Sequence, residues 1–124
     1  MKNKALGATG EEFAAGFLRE NGYKVLERNF KNKFGEIDII ARDKDTYCFI
    51  EVKTRSGTAF GFPQEAVSSR KQEQISKVAL QYLKTNKLFD KKARFDVIAL
   101  LYQDGSPKFD LIKNAFELDG HFTC

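Results

Sequence analysis

The sequence has few of the residues on which most metal and nucleophile chemistry depends. A single histidine excludes a multi-histidine metal centre and argues against a Ser-His-Asp triad. Two cysteines, Cys48 and Cys124, are too few for a disulfide framework or a cysteine-based zinc site. Metal binding would therefore depend on oxygen ligands, which suit Mg²⁺ or Mn²⁺.

Long apolar runs are also absent. No stretch approaches the roughly 18 apolar residues that a membrane helix needs, so we expect no membrane partner. The first seven residues lack the apolar core of a secretory signal, which indicates a cytoplasmic protein. With 42% hydrophobic and 31% charged residues, the chain is expected to form one globular domain over residues 1–124.

Charge is distributed unevenly along the chain. The net charge is +4, yet residues 95–124 carry −3 and the first 94 residues carry +7. A positive region attracts polyanions such as nucleic acid through its long-range field and through phosphate contacts. A mildly basic, solvated surface explains the same counts, so charge alone leaves both interpretations open.

Hydrophobic periodicity predicts seven elements in the order α-β-β-β-α-β-β. The second helix begins with a capping-box pattern at Ser69 and Gln72, and it would connect the third and fourth strands in parallel. The simplest arrangement is an α/β fold in which helices flank one mixed sheet. Helices are predicted over residues 4–21 and 70–84, and strands over 23–27, 34–42, 47–54, 95–102 and 108–112.

The second and third strands form a predicted β-hairpin with a polar turn at residues 43–46. Regular pairing outward from the turn places Asp38 directly opposite Glu51, and Glu36 opposite Lys53. This register also gathers the apolar residues of both strands on one face. Those residues are Ile37, Ile39, Ala41, Cys48, Ile50 and Val52.

Two carboxylates that face each other across neighbouring strands repel, since their Cβ atoms are roughly 5 Å apart. A divalent cation with oxygen ligands between Asp38 and Glu51 would relieve that repulsion. Lys53 lies two residues after Glu51 and would stand beside the ion. The alternative is an exposed sheet face on which Lys53 forms salt bridges with Glu36 and Asp38. The spacing favours neither interpretation.

The first helix places a third carboxylate where apolar side chains are expected. Glu11 shares a helix face with Ala14, Ala15 and Leu18, and a buried glutamate needs a partner or an ion. Glu12 could instead belong to a capping box if the helix begins after Thr9. Glu11 is therefore the functional candidate and Glu12 the structural one.

Several motifs resemble the YraN family of small bacterial proteins, within the PD-(D/E)xK nuclease superfamily. They are GEIDIIAR at 35–42, FIEVKTR at 49–55, and shorter matches near Gly10-Glu11 and at Arg94-Phe95-Asp96. The resemblance covers nearly the whole chain and implies a restriction-endonuclease-like fold with an αβββαβ core. Ile37 stands where the superfamily name implies a proline.

The resemblance also implies roles for individual residues. Asp38 and Glu51 would bind the metal ion together with the carbonyl of Val52. Lys53 would orient or deprotonate the attacking water. Glu11 would complete the metal sphere directly or through water, as in the similar archaeal Holliday-junction resolvases.

The implied activity is that of a Mg²⁺- or Mn²⁺-dependent endonuclease that hydrolyses DNA, with selectivity for branched or flapped forms. Arg55, Arg70 and Lys71 would contact flanking phosphates, although Lys71 could also be a solvated lysine. Symmetric cutting of two strands would require a homodimer. A non-catalytic nucleic-acid-binding module, or a subunit of a DNA-processing complex with the same fold, remains the alternative.

Three further residues have two interpretations each. Asp96 opens the fourth predicted strand, towards the opposite end of the sheet from Glu51, so a structural role in which it pairs with Arg94 is favoured over a role in the site. Phe60 and Phe62 lie in a glycine-containing loop, where they could stack on bases or pack under the loop.

Overall fold

A computed structural model describes residues 2–56, 67–103 and 106–116, with side chains for 10–54, 67–101, 106 and 108–116. The element order α-β-β-β-α-β-β is confirmed within these residues. The elements are α1 Lys2–Glu20, β1 Lys24–Asn32, β2 Gly35–Asp43, β3 Thr46–Ser56, α2 Ser69–Thr85, β4 Lys92–Gln103 and β5 Ser106–Phe116.

The five strands form one mixed sheet in the order β1-β2-β3-β4-β5. Strands β3 and β4 are parallel, whereas every other neighbouring pair is antiparallel. Helix α2 connects the parallel pair, as predicted, because parallel neighbours need a long crossover. The architecture is α/β and is consistent with the restriction-endonuclease-like αβββαβ core.

The core consists of two clusters, one between the sheet and each helix. Ile75, Val78 and Tyr82 of α2 pack against Phe49 and Val97 in one cluster. Ala14, Ala15 and Leu18 of α1 pack against a second set, which includes Ile50 and Ile98. Adjacent residues of β4 thus belong to opposite clusters, which explains why residues 95–100 are all buried and, apart from Asp96, all apolar.

The two outer strands are longer than predicted. Strand β1 continues beyond the predicted end at Glu27, and its pairing with β2 extends to Asn32 opposite Gly35. Strand β5 likewise extends to Phe116. Both lie at sheet edges, where charged side chains interrupt the apolar alternation from which strands are predicted.

Helix α2 begins one residue earlier than predicted, with Ser68 as its N-cap. The Ser68 hydroxyl accepts a hydrogen bond from the backbone N–H of Lys71 at 3.2 Å. The Gln72 side chain donates to the carbonyl of Val67 at 2.9 Å. The predicted capping box of Ser69 with Gln72 is therefore wrong, because the preceding serine provides the cap.

The hairpin of β2 and β3 has the predicted register for five residue pairs, from Asp43 with Thr46 to Ile39 with Ile50. The paired positions end there. Beyond these pairs, Ile37 packs in the core cluster between the sheet and α2, whereas Ile39 packs in the cluster under α1. The prediction that Ile37 and Ile39 share one sheet face is therefore wrong. The carboxylate of Asp38 accepts the N–H of Val52 at 2.8 Å, which interrupts the regular ladder next to Ile37.

Candidate active site

Asp38 and Glu51 meet where the regular ladder of the hairpin ends. The bond from the Val52 N–H to Asp38 Oδ2 holds the Asp38 carboxylate against β3, beside Glu51. The two carboxyl groups are close enough to share a hydrogen bond when one is protonated. The predicted meeting of these carboxylates is confirmed, although a side-chain bond to the backbone positions Asp38.

Glu51 is the most perturbed carboxylate of this site. Only 8% of its side chain is exposed, and burial raises its pKa to about 7, with the charge of Asp38 adding to the effect. Lys71 and Lys53 act in the opposite direction. A buried carboxylate beside a second one is stable in its charged form only when enough positive charge lies nearby.

Two lysines supply positive charge to the same oxygen of Glu51. Lys53 Nζ lies 3.6 Å from Glu51 Oε2, and Lys71 Nζ lies 3.7 Å from it. The predicted alternative, in which Lys53 pairs with Glu36, is not found among the ion pairs of the described side chains. Glu36 pairs there with Lys31, at 3.8 Å.

The contact of Lys71 with Glu51 was missed by sequence analysis, which predicted a phosphate contact or a solvated side chain. A usable signal was present in the topology. A crossover helix starts near the carboxyl end of the strand before it, so the first turn of α2 lies near the end of β3. Ser68, as the N-cap, then places Lys71 in that first turn.

Glu11 also approaches this group, from α1. It is half-buried, and burial raises its pKa, followed by the charge of Asp38. Glu12 is exposed, so Glu11 and not Glu12 lies on the packing face of α1, as predicted. Helix α1 begins at Lys2, so the alternative capping box of Thr9 with Glu12 is wrong. Gly10 permits the approach, because a Cβ there would lie 2.9 Å from Thr54 Oγ1. Helix α1 thus packs directly on β3 one residue before Glu11.

The three carboxylates do not converge on one point. Among the described residues, no three histidine, cysteine, aspartate or glutamate side chains lie together as an ion-binding group. Glu11 therefore does not form a direct ligand set with Asp38 and Glu51 in this structure. Binding through water, and the predicted role of the Val52 carbonyl, stay predictions.

The other predicted phosphate contacts are only partly described. Arg70 is exposed in the first turn of α2, next to Lys71. The side chain of Arg55, and Phe60, Phe62 and Cys124, lie outside the described residues. Their predicted roles stay predictions.

Asp96 has the predicted structural role but a different position. It is fully buried and accepts hydrogen bonds from Arg94 Nε at 3.0 Å and the N–H of Asn114 at 2.8 Å. It pairs with Ile50 in the sheet, only one position from Glu51, so the predicted separation by strand ends is wrong. Strand β4 begins earlier than predicted, and Asp96 lies on the α1 face with Ile50.

The raised pKa of Glu51 makes stability depend on pH when no divalent cation is present. The folded state binds this proton more tightly than the unfolded state, in which the pKa is near 4.5. Its stabilising effect is complete below pH 4.5 and is lost as the pH rises to about 7. Glu51→Gln removes the charge, so we expect the variant to gain about 2 kcal/mol relative to the unmodified protein between pH 4.5 and 8.

Urea unfolding in EDTA at pH 4.5 and at pH 8 measures this difference in the free energy of unfolding. Glu12→Gln is the matched control, because Glu12 is exposed on α1. An equal pH dependence in the unmodified protein and Glu51→Gln would contradict a buried, desolvated Glu51.

Within the described residues, no helix combines the length and apolar character needed to span a membrane. The model of the uncharacterised protein family UPF0102 matches residues 10–100, a range that includes all five site side chains named above. Those side chains are Glu11, Asp38, Glu51, Lys53 and Lys71.

Similar proteins match the chain over nearly its whole length. A UPF0102 protein of Geotalea daltonii is 56% identical over 117 residues, 94% of this chain and 92% of its own length. One from Trichlorobacter lovleyi is 52% identical over 118 residues, 94% of this chain and 93% of its own length. One from Syntrophomonas wolfei is 47% identical over 114 residues, 92% of this chain and 99% of its own.

Proposed function

The chain belongs to the uncharacterised protein family UPF0102, the YraN family that its motifs resemble, and we propose that it is a metal-dependent nuclease that hydrolyses DNA phosphodiester bonds. One observation carries the proposal. Asp38 and Glu51 lie together at the end of the hairpin ladder, and two lysine ammonium groups lie within 3.7 Å of Glu51. Neighbouring carboxylates and lysines are suited to phosphoryl chemistry.

The donor set fits a hard divalent cation. Carboxylate oxygens are the ligands that Mg²⁺ prefers, and one or two of them, with water and substrate phosphate, are usually enough. Among the described residues no third carboxylate joins Asp38 and Glu51 as a direct ligand, and two carboxylates are enough for such a site. The pKa of Glu51, raised to about 7 by burial and by Asp38, is the signature of a site with too little positive charge.

Asp38 and Glu51 would hold the ion, with Asp38 already oriented by the Val52 N–H. A bound Mg²⁺ or Mn²⁺ supplies a lower pKa for attacking water and charge stabilisation at the phosphate. Lys53, which is about one-quarter exposed, would orient that water or accept its proton. Lys71 would leave Glu51 to contact a phosphate oxygen of the substrate.

The substrate inference depends on the charge and the motifs. The first 94 residues carry the positive charge that attracts a polyanion, and Arg70 is exposed in the first turn of α2, next to Lys71 in the sequence. The sequence contains no zinc finger, homeodomain or RNA-recognition signature, so we propose recognition of DNA shape, with branched or flapped DNA as substrate. Cutting both strands of a symmetrical junction would require a homodimer.

The test is incubation of the purified protein with labelled linear, flapped and four-way-junction DNA in Mg²⁺ or Mn²⁺. We expect cleavage of the branched or flapped forms, and no cleavage in EDTA. Gel electrophoresis of the denatured products locates the cut. If every substrate stays intact in both metals, the nuclease proposal is wrong.

A non-catalytic nucleic-acid-binding module is the second candidate, and one observation favours it. Lys53 and Lys71 already lie within 3.7 Å of Glu51 and offset part of its charge without a metal ion. Calorimetric titration with Mn²⁺ separates the two candidates, because a module of this kind would bind DNA and show no heat of metal binding at this site.

A further inference from the structure

Two clefts lie side by side between strand β1 and helix α2. The first has a volume of about 350 Å³ and is lined by Lys31, Asn32, Gly35, Glu36, Lys71 and Gln74. The second has a volume of about 610 Å³, and its lining includes Phe30, Asn32, Lys33, Gln81 and Asn86. Asn32 lines both clefts, and its side-chain amide donates to the Val78 carbonyl of α2 at 3.4 Å, so the two clefts adjoin at this side chain. We call the pair of clefts the α2 groove.

The α2 groove begins at the candidate active site. Lys71 lines its first cleft and also contacts Glu51 at 3.7 Å. The second cleft ends at Asn86, which caps the other end of α2. Fifteen residues of helix span about 22 Å. Stacked nucleotides rise about 3.4 Å each, so the groove is long enough for roughly six of them.

The chemistry of the α2 groove suits a nucleotide strand. Three lysines line it, Lys31, Lys33 and Lys71, and they can contact phosphates. Two carboxylates, Glu27 and Glu36, also line it, and Lys31 pairs with Glu36 at 3.8 Å, so the lysines outnumber the acids by one. The Gln81 amide nitrogen donates to Thr85 Oγ1 at 3.0 Å, and that of Asn86 donates to the Tyr82 carbonyl at 2.9 Å. Their amide oxygens are therefore the groups left to accept hydrogen bonds from the exocyclic amines of bases.

An aromatic wall accompanies these polar groups. Phe30 and Tyr82 both line the second cleft, and their rings meet edge to face with centroids 5.2 Å apart. The half-buried ring of Phe30, in the same cleft as Lys33, is the platform on which an unpaired base can stack, whereas Tyr82 is only 7% exposed and supports that ring from the core. A duplex cannot use such a platform, because its bases are already stacked on one another.

The close approach of the β1–β2 turn to α2 shapes the first cleft. Gly35 has φ +146, and a Cβ there would lie 2.8 Å from the side chain of Gln74. A glycine at this position therefore allows the turn to lie against α2 without displacing Gln74. This packing places the turn, together with Gln74 and Lys71, in the lining of the first cleft.

We propose that the α2 groove binds a single-stranded segment of nucleic acid that adjoins the phosphodiester bond to be cleaved. The inference rests on the proposed nuclease function and narrows its substrate class to nucleic acid with a single-stranded end or flap. The strand enters past Lys71, its phosphates contact Lys31 and Lys33, and its bases face Phe30 and the amides at the far end of α2.

The test compares binding of a fluorescent single-stranded oligonucleotide and a blunt duplex of the same sequence, in EDTA so that neither is cleaved. The double variant Lys33→Gln with Gln81→Ala changes two groove side chains. We expect it to bind the single strand about tenfold more weakly and the duplex nearly unchanged, since one phosphate contact and one base contact are lost. Lys24→Gln is the control, because Lys24 is exposed on the same strand but does not line the groove.

Two outcomes would overturn the inference: unchanged single-strand binding by the double variant, or an equal loss of single-strand affinity in Lys24→Gln. Thermal unfolding shows that a weakened variant is still folded. Cleavage is scored separately on flapped DNA with the unmodified protein in Mn²⁺. Selective loss of single-strand binding without any cleavage would support the groove as a binding site and refute the nuclease function alone.

Discussion

If the proposed nuclease function is correct, Glu51→Gln is expected to lower the rate of metal-dependent DNA cleavage at least about a thousandfold, because one of the two proposed carboxylate ligands loses its charge. Glutamine has nearly the same shape, so the packing around this buried side chain is retained. The affinity for Mn²⁺ should also fall, whereas DNA binding should persist through phosphate contacts elsewhere. Cleavage and binding of the same labelled flapped DNA, with a Mn²⁺ titration, measure all three effects.

Lys53→Ala separates the role of the lysine from that of the metal ligands. It should lower cleavage by about a hundredfold or more, as expected when a group that orients or deprotonates water is lost. Both carboxylates remain, so the Mn²⁺ affinity should change little. Lys77→Ala is the matched control, because Lys77 forms a half-exposed ion pair with Glu73 on α2. Cleavage that survives in Glu51→Gln would show that the activity comes from another site.

Asp96→Ala is expected to destabilise the fold by about 3–5 kcal/mol, because it removes one partner of a buried ion pair. Asp96 is fully buried, and its carboxylate binds both Arg94 and the backbone of Asn114. Arg94 retains Asp43 at 3.1 Å and the Tyr23 hydroxyl at 2.6 Å, which only partly replace this partner. Urea unfolding measures the loss of stability.

Asp45→Ala is the control for this change, because its side chain is 73% exposed and its pair with Lys92 is long, at 3.9 Å. We expect an effect of about 0.5 kcal/mol or less. The folded fraction of Asp96→Ala should cleave DNA normally, since Asp96 faces α1 and Glu51 faces α2. Normal stability together with lost cleavage would instead place Asp96 in the active site.

The register of the central hairpin could be predicted because two independent signals agree. A short polar turn fixes which residues pair, and alternation of apolar residues fixes the face, since a shift by one residue would expose the whole apolar set. This register brings Asp38 next to Glu51 just beyond the last regular pair, and the hydrogen bond from the Val52 N–H then positions the Asp38 carboxylate. The apolar alternation predicted the wrong sheet face only for Ile37. Next to Ile37, the Asp38 carboxylate accepts the Val52 N–H, which would otherwise donate to a backbone carbonyl in the strand pair.

The contacts that come from outside the hairpin were harder to predict. Residues 28–32 continue β1 without an apolar alternation, because their outward side chains are solvated. The error over Asp96 has a similar origin, since Lys92 and Ala93 carry no strand signal although they pair with β3. Lys71 contacts Glu51 because the N-cap and the direction of α2 place its first turn near the end of β3. Local sequence patterns do not specify the distance between elements that are far apart in the chain.

The parallel pairing of β3 with β4 has a consequence for the order of folding. Strands β2 and β3 are joined by a two-residue turn, and a hairpin of this kind forms in about 1–10 μs. Glu51 meets its β4 neighbour, Val97, only after α2 has crossed the sheet, and such non-local pairing is slow. Asp38 and Glu51 therefore come together before Lys71 arrives with α2. In the early hairpin only Lys53, on β3 itself, can offset their repulsion, and Lys71 adds its charge when α2 packs onto the sheet.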